Sequence, residues 1–192
     1  VANFKTVILS SQETVTVERP SVDLAVTFNG ENQSVYVAPA GQGINTVVRF
    51  QNNLPDKLLN PRLEVRLSGN ALDKSTITAY NNGFYDSGTN RINWNLNNQG
   101  GQNELAPGDQ GNVSFSFASL QEVSSTKNRE VALEISLTGT PVGSQTPITV
   151  KETRTVKVAS QVTLSAKVLH STGPFANSGP MPPQAEKETT YA

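Results

Sequence analysis

The chain has 192 residues, 35% of them hydrophobic, with 15 basic against 16 acidic side chains and a formal net charge of −1. That length holds one sizeable domain or two small ones, and the charges form no block of the kind that nucleic-acid binding needs. With no cysteine in the chain, disulfides, Cys-based zinc sites and thiol nucleophiles are excluded.

The opening "VANFKTVILS" already has strand character, and it carries neither an initiator methionine nor a signal-peptide pattern. No apolar run approaches the ~18 residues of a membrane helix, so no direct membrane insertion is expected in this segment. A piece of a longer or processed product is the expectation.

Strict alternation of apolar and polar residues then recurs, whereas helical periodicity does not. "SVDLAVTF" aligns Val22, Leu24, Val26 and Phe28 on one face, and "INTVVRF" aligns Ile44, Val48 and Phe50. In "RLEVRLS" Leu63, Val65 and Leu67 oppose Arg62, Glu64 and Arg66. Turn formers follow in "NNG" and "DSG", before "RINWNLN" groups Ile92, Trp94 and Leu96 and turns Asn93 and Asn95 outward. After "NNQGG" and "APGDQG", the run "NVSFSF" aligns Val113, Phe115 and Phe117. "REVALEISL" does the same with Val131, Leu133, Ile135 and Leu137. Short alternating strands punctuated by turns predict an all-β protein, a sandwich or barrel with one wet face per sheet. The expected core contains Trp94, Ile92, Leu63, Val65, Phe115, Phe117, Leu133 and Ile135.

An internal likeness organises the chain. "TVTVERPSVDLAV" near the start resembles "TVKVASQVTLSAKV" near the end: Val15 aligns with Val156, 141 residues on, and Val22 with Val162, 140 residues on. Further along, Pro39 aligns with Pro183, Thr46 with Thr190 and Val47 with Tyr191, each 144 residues apart. This spacing predicts one complete module over 20–159. Residues 1–19 would close a preceding module, and 160–192 would supply the first strand and proline-rich connector of a following one. Val162, Leu164, Val168 and Tyr191 are then candidates for a strand-donating segment.

The series "VAPAGQGINTVVRFQNN", "LEVRL", "GFYDSGTNRINWNL" and "ELAPGDQGNVSFSF" resembles the immunoglobulin-like conserved repeats of bacterial surface proteins, in particular long repeat-built proteins of candidate-phylum bacteria. The matching positions are Pro39, Asn52, Leu63 to Leu67, Gly83, Tyr85, Ile92, Trp94, Leu105 to Gly108, Gly111 and Phe115. The resemblance covers most of residues 20–192. It implies an immunoglobulin-like antiparallel β-sandwich with partial neighbouring modules at both ends, extracellular at the cell surface. Its expected partners are neighbouring copies or modules of the same protein.

The residue inventory argues against catalysis. His170 is the only histidine, so a two-histidine metal site is impossible within one chain and a Ser-His-Asp triad would have to use it. Asn81, Asn82, Asp86 and Asn90 bring oxygen ligands near glycines, yet only Asp86 is a carboxylate, and turn chemistry explains the cluster without calcium. No cofactor, metal or nucleic-acid partner is expected. The sequons at Asn32 and Asn112 carry little weight, and Lys157 and Lys167 read as outward-facing, which leaves no isopeptide candidate. Tyr80, Phe84 and Tyr85 flank a turn and are the candidate loop contacts. Three functions follow as expectations: a structural repeat module of a surface stalk, layer or filament; a filament subunit held by strand donation; and an adhesin whose loops bind a glycan or protein.

Overall fold

Alternation with period two gives each strand one apolar face, and two such faces must cover each other to leave water. The computed structural model describes residues 19–98, 100–121, 129–159 and 178–189. The chain divides into two compact units, Val1–Ser160 and Gln161–Ala192. In the larger one the described residues form β1 (Val22–Phe28), β2 (Val35–Pro39), β3 (Gly43–Asn52), β4 (Leu58–Ser68), β5 (Leu72–Ala79) and β6 (Phe84–Asp86). These are followed by β7 (Arg91–Asn95), β8 (Glu104–Leu105), β9 (Gln110–Ser119), β10 (Glu130–Pro141) and β11 (Ile148–Ala159). No helix occurs among the described residues.

One sheet has the order β1-β3-β9-β5; the other runs β2-β11-β10-β4-β7-β6, with β8 also on β4. The result is an immunoglobulin-like β-sandwich. Its ladders are antiparallel except that of β2 with β11, which is parallel and brings Tyr36 beside Val156. The filling comes from the alternating faces: Trp94, Ile92, Leu63, Val65, Phe115, Phe117, Leu133 and Ile135 are all buried. The Phe115 ring stacks on Phe117 and tilts against Trp94, each at 6.1 Å between centroids.

Strands β2, β5, β6 and β8 are additions to the pattern read from sequence. In β2 only Ala38 is buried. In β5 the ladder to β9 shifts between Asp73 and Thr78, where Asp73 Oδ1 accepts from the Ser75 N–H (3.1 Å) and hydroxyl (2.6 Å). That local turn interrupts the alternation. The first half of β11 carries Glu152 and Arg154 on the face that buries Val156 and Val158, and these two charges form an ion pair.

The first and last described strands of this unit, β1 and β11, begin and finish at opposite ends of the sandwich. The Pro20 and Ser21 carbonyls accept from the Asn53 side-chain amide (3.1 Å) and the Asn53 N–H (3.0 Å), at the end where β3 passes into β4. At the other end the Val158 N–H donates to the Arg129 carbonyl (2.8 Å), and the Ala71 N–H reaches Glu130 (3.4 Å). In the smaller unit, described over 178–189, the Lys187 N–H donates to the Gln184 carbonyl (3.2 Å) and the Met181–Pro182 bond is cis. Val15, Val162, Leu164, Lys167, Val168, His170, Thr190 and Tyr191 lie outside the described residues.

Candidate functional site

The chain crosses between the sheets at "YNNGFYDSGTNRINWN", and each step of that passage has a local cause. Asn81 and Asn82 adopt φ of 55° and 60°, a left-handed pair that asparagine tolerates better than most residues. The Gly83 N–H closes the turn on the Tyr80 carbonyl (3.1 Å). A side chain at Gly83 would collide with the Trp94 ring, whose Nε1–H donates to that same Tyr80 carbonyl (2.8 Å). The turn is therefore pinned to the largest core residue. Asn81 Oδ1 accepts from the Ser114 N–H (3.1 Å) and hydroxyl (2.9 Å), so one amide stands in for the strand that β5 no longer supplies.

The hairpin from β6 to β7 is held by Asp86, which accepts from Thr89 Oγ1 (2.7 Å) and the Gly88 N–H (2.9 Å). The Thr89 hydroxyl first, then the Gly88 amide, with Arg91 adding less, hold this carboxyl below the usual carboxylate range. Burial, reinforced by the charge of Asp86, pushes the Tyr85 phenol up. The Tyr85 hydroxyl donates to Asn90 Oδ1 (3.3 Å). The oxygens of Asn81, Asp86 and Asn90 are thus engaged in turn geometry. Among the described residues no group of three or more His, Cys, Asp or Glu side chains could hold a metal ion.

A second knot sits at the end of β3. Asn52 is fully buried, and its amide donates to the carbonyls of Leu105 (3.0 Å), Ala106 (3.1 Å) and Asp56 (3.1 Å). Its Oδ1 accepts from the Leu54 N–H (3.0 Å), and its backbone pairs with Gly108 and Asp109 (2.8 and 2.9 Å). "QNN" and "LAPGD", far apart in sequence, are one structural unit.

Between these two knots a groove of about 630 Å³ opens along the side of the sandwich. Its floor is apolar, made of Phe50, Leu96 and Val113. Gly111 makes room for the Phe50 ring, since a Cβ there would stand 2.6 Å from Phe50 Cζ. One wall rises from the outer face of the larger sheet and carries Phe84, Asn93, Asn95 and Arg62; Asn81, Asn82, Asn97 and Asn112 line the rest. Among the three candidate aromatics only Phe84, 69% exposed, lines this groove. Tyr80 turns its hydroxyl to Ser116 (3.2 Å), and Tyr85 packs half-buried against the core. Arg62, Asn93 and Asn95 read from sequence only as outward positions. The alternate asparagines of "NWNLN" are the signal that could have marked a polar wall.

No protein-family model matches the chain, and no curated protein matches it in sequence. Among solved structures the chain is similar to the major pilin subunit of Bacillus cereus, at 6% identity over 70% of this chain and 39% of that one, with a TM-score of 0.44. It is also similar to the collagen-binding domain of a Staphylococcus aureus adhesin (10% identity, 70% of this chain and 96% of that one, TM-score 0.38). A GH20 exo-β-N-acetylglucosaminidase of Vibrio harveyi is similar at 14% identity over 73% of this chain and 18% of that one, with a TM-score of 0.34. The chain thus spans well under half of the pilin it resembles. Likenesses of this size, shared by pilin, adhesin and glycosidase alike, transfer neither residues nor activity.

Proposed function

We propose that this chain is a non-catalytic structural module of an extracellular cell-surface stalk, layer or filament, joined end to end with neighbouring copies or modules. The observation that carries the reading is the course of the described backbone, whose first strand starts beside Asn53 and whose last strand ends beside Arg129, at the opposite end. Modules entered at one end and left at the other string together without the chain doubling back. The likeness between segments 140 to 144 residues apart supports the same reading. So do outer faces built from Thr, Ser, Asn and spaced ion pairs such as Arg91–Glu64 (3.0 Å), which keep a repeated surface solvated.

Strand donation is the second reading, favoured by one observation. Among the described residues β2 pairs with β11 only from Thr155 onward, and no described strand pairs with that edge of β11 beside half-buried Ile148 and Val150. The inward ion pair of Glu152 and Arg154 opposes it, because charges on the core-facing side discourage pairing at an edge.

Immunogold labelling of intact cells of the source organism tests the surface role: label along extended surface structures is expected, and label seen only after permeabilisation would overturn it. Hot denaturing gels then separate the two assemblies. A covalent array stays as one long species, whereas strand-donated polymers fall apart into single chains.

A further inference from the structure

The groove between β7 and β9 does nothing for the structural role, yet it gathers binding chemistry in one place. Asn82, Asn93, Asn95, Asn97 and Asn112 make no side-chain hydrogen bond among the described residues; nor does Arg62, which also has no ion pair there. Each free amide offers two donors and one acceptor carbonyl. Among the described residues, Arg62 is the only charged side chain that lines the groove. Its neighbour on β4, Glu64, is engaged by Arg91 at 3.0 Å. The most exposed of the large hydrophobic side chains described, Phe84, stands on the same wall.

The register fixes how these groups are laid out. Phe84 is the cross-strand partner of Asn93, and Arg62 that of Asn95. All four therefore rise from one face of three adjacent strands. Strand spacing and rise put Phe84 and Arg62 roughly 12 Å apart, the span of about two or three linked pyranose rings.

We propose that this groove binds an acidic oligosaccharide, a short glycan carrying a ring carboxylate of the uronic or sialic type. Phe84 offers its flat face to the C–H face of one sugar ring. Arg62 takes the carboxylate with its two-pronged guanidinium. Between them, Asn93 and Asn95 alternate donors and acceptors to match sugar hydroxyls. A peptide strand fits the groove less well. The Ser114 N–H and carbonyl are taken by Asn81 and Tyr80, so on this edge of β9 the open stretch shrinks to the few residues around Asn112, too short for a ladder. The proposal goes beyond the structural role and does not depend on it.

The test is calorimetric titration of the full chain with trigalacturonate, 3′-sialyllactose and neutral maltotriose. At least one acidic probe should bind ten-fold or more tighter than maltotriose, and which one binds identifies the source of the carboxylate. Phe84→Ala should weaken that binding at least ten-fold, and Arg62→Gln should erase the preference for acid over neutral sugar. Both positions are exposed, so melting temperatures should be unchanged. If either variant does melt lower, amide chemical-shift changes in the unaltered chain decide: shifts centred on Asn93 and Asn95 support the proposal, and shifts centred elsewhere overturn it. Absent binding, equal affinity for acidic and neutral probes, or full displacement by a polyglutamate peptide would each overturn it too.

Discussion

Asn52 is a polar residue at a fully buried position, and it holds its place because all its hydrogen-bonding capacity is used. Asn52→Ala would strand three carbonyls, and the expected loss is about 3 kcal/mol. Thermal denaturation checks this, and a variant melting within a degree of the parent would refute it. Thr46 is the opposite case. It is equally buried, but its Oγ1 has no partner among the described residues. Removing an unsatisfied buried hydroxyl without changing shape should help, so Thr46→Val should gain about 1 kcal/mol in denaturant titration. A loss of stability would mean that a water satisfies Thr46. The sequence distinguished these two residues poorly, since both lie on the inward register of one strand. Asn52 was visible only as part of a resemblance, and its partners 53 and 54 residues away were not visible at all.

Among elements, β1, β3, β4, β7, β9 and β10 were legible because each buries one face along most of its length. β5 was not, because its Asp73–Thr76 turn breaks the period; β11 was legible only near its end, because Glu152 and Arg154 occupy inward positions of its first half. The groove could not be read in advance for a related reason. Alternation shows that Asn93 and Asn95 face outward, but only cross-strand register brings Phe84 and Arg62 beside them. The β6–β7 hairpin adds a pH dependence at this scale. The Asp86 carboxyl is held low by its contacts to Thr89 and Gly88, so those contacts contribute fully above the usual carboxylate range and are lost as pH falls through the depressed folded value. Carboxyl-carbon NMR should show Asp86 titrating below the usual carboxylate range, with Gly88 and Thr89 amides losing protection over the same range. An Asp86 midpoint within the usual carboxylate range would contradict this.

For the whole molecule, every buried hydrophobic residue described lies between Val22 and Val158. A chain cut to residues 20–159 should therefore melt within about 3 °C of the full chain, a shift worth about 1 kcal/mol at this size. It should also sediment as a monomer. If it fails to fold, one of the two removed end segments is integral to the sandwich, and the modular reading falls with it. The start of β1 and the end of β11 at opposite ends of the sandwich have a mechanical consequence. Tension applied through Pro20 and Ala159 would run along the axes of β1 and β11, loading the ladder of β1 with β3 and those of β11 with β10 and β2 in shear. In that geometry many hydrogen bonds must give way together, whereas a pull at right angles would part them one at a time. Resistance to rupture is then set by the rate of unfolding under load rather than by equilibrium stability. A tether that must hold a surface structure against flow would need that property, and here it comes from strand direction alone.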